Sequence, residues 1–499
     1  MINRRRFFQS SLAAAVAYAL PAPRLFALDQ AASQAAGGLA AVKLDGSATV
    51  IGQADLAALK SELRGALLVA GDTGYEEARR VLNRSIDRRP ALVVQPSGAA
   101  DVRSVVDFAR ERELLVAVKC GGHSYGGKST CDGGLQIDLS RMRGAWVDPE
   151  ARTVHVEGGS LLGEIDHEAM ALGLVTTSGT VSHTGVGGLT LGGGFGRLAR
   201  RYGLAVDNLR AVDIVTADGR LLRASADENP DLFWGVRGGG GNFGVVTRFE
   251  FALHPMQRQV VGGDFVFPLE RARELLGFYA EYSASVPREM YFDAFMGAPP
   301  GGKPGAFVLS CCWSGDAAQA EAVLAPVRKL GKPIADTVQA RDYVAVQRMH
   351  DRADPRNEGQ YLKSGFIHGF NPALIDAIVT GFQGDPQRGT ALFFQHGGGA
   401  VGDVAADATA FPHRYASHNM LTAVTWPLEI DRTPHVDYVK GLWGTLEPHA
   451  RGYYMNEVAD EAQAVVDENY QGNIGRMRAV KKQYDPKNLF RLNANVKPA

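Results

Sequence analysis

The spacing of apolar positions changes several times along the chain, and each change marks an element. Leu92-Val93-Val94 is a short apolar run closed by Pro96-Ser97. Val102, Val105, Val106 and Ala109 then recur at helical spacing. Leu115-Val116-Ala117-Val118 follows as a second buried strand ending in Gly121-Gly122, so this stretch reads as strand, helix, strand, the mark of an α/β unit. Between about 135 and 255 short strands dominate, at 136–139, 153–156, 211–215 and 245–253. Glycine turns separate them, which predicts α+β organisation rather than a parallel doubly wound sheet.

After Pro255 the texture changes again. Ala272, Leu275, Leu276 and Tyr279 predict a helix over 269–279. Apolar strand runs follow at 290–295, 306–313, 365–370, 391–395 and 421–427. These strands with intervening helices predict one antiparallel sheet backed by helices, a second domain at about 256–450. The tail over 472–490 reads as helix stopped at Asp485-Pro486.

The first 27 residues stand apart from this pattern. Arg4-Arg5-Arg6-Phe7-Phe8, the apolar run from Leu12 to Leu20 and Pro21-Ala22-Pro23 form a charged n-region, a short h-region and a cleavage site after Ala27. The arrangement resembles a twin-arginine export signal and predicts a periplasmic or secreted protein delivered by that machinery. Such export carries folded proteins, which suits an enzyme loaded with its cofactor beforehand. The h-region is too short for a ~20-residue membrane span, and no integral membrane segment is expected after its removal.

Lys+Arg number 53 and Asp+Glu 54, a net charge of −1. Without the four Arg of residues 1–27 the balance is 49 against 54, or −5. That excludes a basic footprint for nucleic acid. The cysteines do not make a disulfide framework, though Cys120 and Cys131 flank a glycine loop and could pair. Cys311 and Cys312 are adjacent on one strand and face opposite ways. No C-x-x-C or H-E-x-x-H spacing occurs, and no metal site is expected.

Glycine is in excess, 59 of 499 residues or roughly 12% where ~7% is usual. Gly239-x-Gly241-x-x-Gly244 matches the dinucleotide fingerprint, but the strand Val245-Val246-Thr247-Arg248-Phe249 follows it where a helix is required. Gly194-x-Gly196-x-x-Ala199 has a better helix behind it but no apolar strand in front. The clusters fall within about 125 residues, which favours one large ligand touched by several loops whose backbone N–H groups approach phosphate closely.

Gly121-Gly122-His123-Ser124-Tyr125-Gly126-Gly127, Thr184-Gly185-Val186-Gly187-Gly188, Gly192-Gly193-Gly194-Phe195-Gly196, Tyr202-Gly203-Leu204-Ala205-x-Asp207-Asn208 and Gly241-Asn242-Phe243-Gly244-Val245-Val246 occur in that order. Together with Tyr484-Asp485-Pro486-Lys487-Asn488-Leu489-Phe490 they resemble the berberine-bridge-enzyme-like branch of the vanillyl-alcohol-oxidase flavoproteins. The likeness runs from about Arg89 to Phe490. It implies an α+β fold: a two-subdomain PCMH-type FAD-binding domain over 60–255, a substrate domain over 256–450, and a C-terminal return to the FAD domain over 451–499.

The resemblance also implies site residues. FAD is held by the Gly121-to-Gly127 loop, by Ser182, Thr184, Gly185, Gly187 and Gly188, by Gly192, Gly193 and Gly194, and by Gly244, Val245 and Val246. His123 matches the residue joined covalently to the flavin 8α-methyl. The position of a second, cysteinyl link in many relatives falls on Val181, so a single bond is expected. Tyr453-Tyr454-Met455-Asn456-Glu457 resembles the family's Tyr-x-Asn motif, which makes Tyr454 the base and Asn456 a residue orienting either the flavin or Tyr454. A phenol with an ordinary pKa of ~10 needs help from the flavin or a nearby cation to act so.

Tyr125 and Tyr202 are expected to pack near the cofactor, and Phe411-Pro412-His413-Arg414 to be structural. Asp293, Trp313, His368, Gln395 and His396 are the pocket candidates of the second domain, limited by the alternation of a strand. The implied reaction oxidises a hydroxyl- or amine-bearing small molecule by hydride transfer, with O2 reduced to H2O2. Sugars, aromatic alcohols and alkaloid-like amines all fit. A dehydrogenase with another acceptor, a monooxygenase and a non-catalytic flavin binder are the alternatives.

Overall fold

The computed structural model describes residues 37–351, 357–457 and 461–499; the expected export signal lies outside them. A hairpin of β1 (Gly38–Val42) and β2 (Ala48–Gly52) leads through the helix Gln53–Glu62 into β3 (Ala66–Val69). β4 (Leu92–Gln95), β5 (Val116–Lys119) and β6 (Leu135–Asp138) complete a four-stranded sheet in the order β3-β4-β6-β5. The strand-helix-strand unit read from sequence is there, with its helix at Ala99–Glu111. Its two strands are not neighbours, however: β6 inserts between them and pairs in parallel with both. Leu39, Ile51 and Leu59 join the core formed by Leu92, Val105, Ile137 and Phe490, so the unit begins before residue 60.

The second layer is a five-stranded antiparallel sheet in the order β11-β10-β12-β8-β7. Its members are β7 (Ala145–Asp148), β8 (Thr153–Glu157), β10 (Leu209–Thr216), β11 (Leu221–Ser225) and β12 (Gly244–Ala252). β9 (Leu174–Val175) and β13 (His254–Pro255) make a separate short ladder. The tail helix Ile474–Tyr484 packs Met477, Val480 and Tyr484 into this layer's core. Buried Lys481 fastens it, with its Nζ 2.6 Å from Asp485 and within hydrogen-bond distance of the Asn242 and Phe490 carbonyls. Asp485 in turn accepts from the Leu489 and Phe490 N–H groups, so the Asp-Pro stop seen in sequence is a built turn.

The third layer is one eight-stranded antiparallel sheet, ordered β17-β14-β16-β15-β20-β21-β19 with β18 also on β14. It comprises β14 (Gln259–Pro268), β15 (Met290–Ala298), β16 (Ala306–Trp313), β17 (Ala335–Asp336), β18 (Gln339–Asp342), β19 (Glu358–Ile367), β20 (Gly389–His396) and β21 (His418–Pro427). All five strands expected here belong to it. β14 has no counterpart in the sequence reading because Gly262 and Gly263 interrupt its apolar run.

Strand alternation splits this sheet into two faces. Phe292, Ala294, Met296, Leu309, Leu392 and Phe394 meet the helices Ala272–Ser285, Ala320–Arg328, Pro372–Gly381 and Thr433–Leu446. At roughly 25 cal/mol per Å² of apolar surface, this helix-backed face is what stabilises the domain. The opposite face is left for a ligand.

Candidate active site

That opposite face roofs a cavity of about 1180 Å³ whose floor is the glycine loops. A site for one drug-sized ligand occupies ~300–1,000 Å³, so there is room for a large cofactor and a substrate together. The floor depends on backbone approach. A Cβ on Gly121 would lie 2.4 Å from the Gly185 nitrogen, so these loops cross only because both residues lack one. Gly188 differs: a Cβ there meets nothing within 4 Å, because that side faces the cavity. A cradle that a side chain would fill is what a nucleotide-sized ligand requires, so the residues present fit FAD.

Gly121, Gly122, His123, Ser124 and Tyr125 line this cavity, as do Thr184, Gly185, Gly187 and Gly188. Gly244, Val245 and Val246, together with Tyr454 and Asn456, close it from the second layer and the tail. The other expected cofactor residues stand behind the wall. Gly127 turns at φ +67° against Ile86, with Gly126 preceding it in the same turn. Ser182 is held by Asp351 through both its N–H (2.8 Å) and Oγ (2.5 Å). Gly192 packs on Asn456, Gly193 on Phe411, and Gly194 donates its N–H to Tyr454. Gly192 and Gly194 thus pack against Asn456 and Tyr454, and Gly193 against Phe411.

His123 has a partner that the sequence reading passed over. Its Nε2 lies 2.9 Å from His183 Nδ1, and its Nδ1 lies 3.5 Å from Thr184 Oγ1. With His123 Nε2–H donating to His183, Nδ1 becomes the nucleophilic nitrogen. Asn83, equally unmarked in the sequence, binds the Tyr125 carbonyl (2.9 Å) and the Gln360 backbone, tying the His123 loop to the roof. Nothing local in a sequence distinguishes a histidine or asparagine whose partner lies 60 or 277 residues away.

Tyr454 is buried, packed edge-on against Phe195. Its Oη accepts from the Gly194 N–H (3.1 Å), the Phe195 N–H (3.3 Å) and Asn456 Nδ2 (2.8 Å). Asn456 Nδ2 also reaches the Leu189 carbonyl at 2.9 Å, so Asn456 orients Tyr454. Burial raises the phenol to about 12, the Glu457 carboxylate adds to this, and the three donors oppose it. Among the described residues, the donors at this oxygen are N–H groups and none is a cation. Glu457, the residue after the motif, is buried, lines the cavity and has its carboxyl pushed up to about 7 by burial.

Of the pocket candidates, Asp293 and Gln395 face the cavity. Burial raises Asp293 to about 7, against a hydrogen bond from the His396 N–H at 2.9 Å. His396, one residue from Gln395, points the other way, with Nε2 3.0 Å from the Ser283 carbonyl and its ring stacked on His418. Trp313 is core, its Nε1–H on the Asp316 carbonyl. β19 ends at Ile367, which leaves His368 exposed with Nδ1 on the Tyr415 carbonyl. Tyr202 stacks on His254 at 4.2 Å and 4°, away from the cavity.

Arg414 of the Phe-Pro-His-Arg segment makes a buried two-toothed pair with Asp207 (2.7 and 2.8 Å) that joins the third layer to the flavin loops. All four cysteines are free, so Cys120 and Cys131 do not pair. Burial raises Cys120 to about 11 and Cys131 to about 12, which makes them poor nucleophiles. Among the described residues no helix is long and apolar enough to cross a membrane, and no cluster of three or more His, Cys, Asp or Glu could hold a metal ion.

Relatives fit this geometry. Residues 90–225 match the family described as FAD binding domain, and residues 453–497 the one described as berberine and berberine like. An FAD-linked oxidoreductase of Dictyostelium discoideum is 34% identical over 433 residues, 85% of this chain and 93% of that protein. The solved structure of 6-hydroxy-D-nicotine oxidase from Arthrobacter nicotinovorans superposes with a TM-score of 0.80 at 26% identity, covering 88% of this chain and 98% of that one. Xylooligosaccharide oxidase from Myceliophthora thermophila, solved with xylobiose, gives 0.79 at 25%, covering 89% and 99%. A floor of glycine loops under an antiparallel sheet, shared with these solved oxidases, places the chain among the PCMH-type FAD oxidases. The chain belongs to their berberine-bridge-enzyme-like family and is an FAD-linked oxidase of small organic substrates.

Proposed function

We propose that this protein is an exported oxidase that removes a hydride from a hydroxyl- or amine-bearing small molecule, with FAD joined through His123 alone. The observation that carries the reading is the pairing of His123 with His183 at one end of a cavity that Tyr454 and Asn456 close at another. Bound FAD supplies the hydride acceptor, and its reoxidation by O2 yields H2O2.

The chain's own residues do the rest. His183 would hold the Nε2 proton of His123, leaving Nδ1 as the nitrogen that would carry bound FAD. Val181 stands where a second link would need cysteine, and it lines the cavity. Tyr454 takes the substrate proton, and its three donors stabilise the oxygen as charge builds there. The Arg4-Arg5 start supports export in the folded, cofactor-loaded state.

Mass measurement on denatured protein tests the link: one flavin is retained in the parent and none in His123→Ala. Anaerobic bleaching by a panel of alcohols, sugars and amines, then air and a peroxide assay, tests the reaction. Bleaching without peroxide in air marks a dehydrogenase, oxygen inserted into product marks a monooxygenase, and no bleaching marks a binding protein.

A further inference from the structure

Resting on the oxidase reading, we infer that the substrate is an amine, its ammonium ion held by the polar row that carries Asp293 and Glu457, with an apolar ring-sized body against Phe295 and Phe393.

The roof is laid out in rows by strand register. Asp264 and Asp293 each lie opposite Ser310, and Gln395 lies opposite Asn419, forming one polar row. Asn419 Nδ2 bridges Gln395 Oε1 and Glu457 Oε2, both at 2.9 Å, which brings Glu457 into the same row. Two residues along each strand, or ~7 Å, the next row is apolar: Val308, Phe295, Phe393 and Leu421. Beyond it Ala306, Gly297, Ala391 and Ala423 make a row of small residues that leaves room beneath.

The polar row carries acid that no direct ion pair neutralises, although Arg197 attracts the Asp293 carboxylate from a distance. Asp293 and Glu457 are only 4% and 8% exposed, and among the described residues neither has a Lys or Arg in salt-bridge contact. The cations nearby are committed elsewhere. Arg197 donates to the Thr180 carbonyl, Gln347 Oε1 and His350 Nδ1, while His350 Nε2 lies 3.5 Å from Asp264. Lys363 pairs with Glu461. A buried carboxyl without a counter-charge takes up a proton or a cation. Burial has raised both groups to about 7, a cost of ionisation that the charge of a bound ammonium would offset.

A neutral polyol fits less well. It would leave both acids unmatched and set its hydroxyls against Val308, Leu421 and the alanines. An amine with an aromatic or alicyclic body matches both rows, and the Phe295 and Phe393 rings, centroids 6.4 Å apart, add attraction for a cation close to their faces.

The test titrates the flavin spectrum of the anaerobic holoenzyme with benzyltrimethylammonium, whose charge is fixed, and with benzyl alcohol and xylobiose. The cation is expected to bind at least tenfold tighter than either neutral probe. Asp293→Asn or Glu457→Gln should weaken the cation at least tenfold and benzyl alcohol less than twofold. Tighter binding of xylobiose or benzyl alcohol, or cation binding unchanged in both variants, overturns the proposal. Protein purified without flavin overturns the oxidase reading instead, and thermal shift by the same three probes then decides this one. Where one variant does not fold, the other and the parent's probe ranking decide it.

Discussion

In the proposed reaction Tyr454 takes the substrate proton, and Asn456→Ala is the perturbation that measures how. At about 12 the phenol lies five units above neutral pH, so forming the free phenolate at pH 7 costs about 7 kcal/mol at ~1.4 kcal/mol per unit. Three N–H donors already point at that oxygen. A hydrogen bond to a charged acceptor is worth roughly 1 kcal/mol more than one to a neutral acceptor. Removing the Asn456 donor therefore raises the phenol by roughly 0.7 unit and slows proton removal about fivefold at fixed pH.

Tyr454→Phe removes the acceptor altogether and should lower the bleaching rate by ~10²–10⁴-fold, the usual worth of a positioned base. It also orphans two buried backbone N–H groups at ~1–3 kcal/mol each, so a thermal melt must accompany it. The assay is anaerobic stopped-flow bleaching of flavin across neutral to alkaline pH at matched flavin content. A rate profile for Asn456→Ala that superimposes on the parent, or Tyr454→Phe bleaching as fast as the parent, would refute the assignment.

His183→Ala removes the partner of His123 Nε2 and should slow covalent flavin incorporation by roughly 10²-fold, read as retained flavin fluorescence on a denaturing gel. Gly188→Leu fills the open cradle: stability should change by less than ~1 kcal/mol while the purified protein loses its flavin absorbance. Arg414→Met leaves buried Asp207 unpaired and should cost about 3–5 kcal/mol in denaturant titration, with Arg414→Lys intermediate. Asp166, Asp293 and Glu457 titrate at about 6, 7 and 7 when folded, above their unfolded values of ~4. The folded chain thus holds extra protons at these three groups, so their contribution to stability is fully present below pH 4 and is lost as pH rises to 7, by up to ~1.4 kcal/mol per unit per group. Melts of the apoprotein across that window check the sign, and Asp293→Asn should flatten the slope.

The elements that sequence predicted well are those whose environment is local or repetitive. The strand at Ala306–Trp313 and the helix at Ala99–Glu111 show their burial in their own period. The tail helix shows its end at Asp485-Pro486. Gly262 and Gly263 hid β14, and no pattern marked the β1–β2 hairpin, although Leu39 and Ile51 belong to a core. On β15 and β20 alternation was visible, but not which parity faced the ligand. Asp293 and Gln395 were therefore indistinguishable from His396 and Trp313 until the helices took the other face.

Taken alone, the amino-acid sequence determined the family, the glycine loops, and the positions of His123 and the Tyr454-Met455-Asn456 motif, because close backbone approach tolerates few residue types and the motifs keep a fixed order. It also exposed the false dinucleotide fingerprint, since a strand follows it. Only the tertiary structure decided that β6 would separate β4 from β5, that His183 would meet His123, and that Glu457 would join Asp293 across Gln395 and Asn419. Those partners lie far apart along the chain. Their meeting is set by strand order and register, which arise from burying whole faces and leave no mark on any single residue.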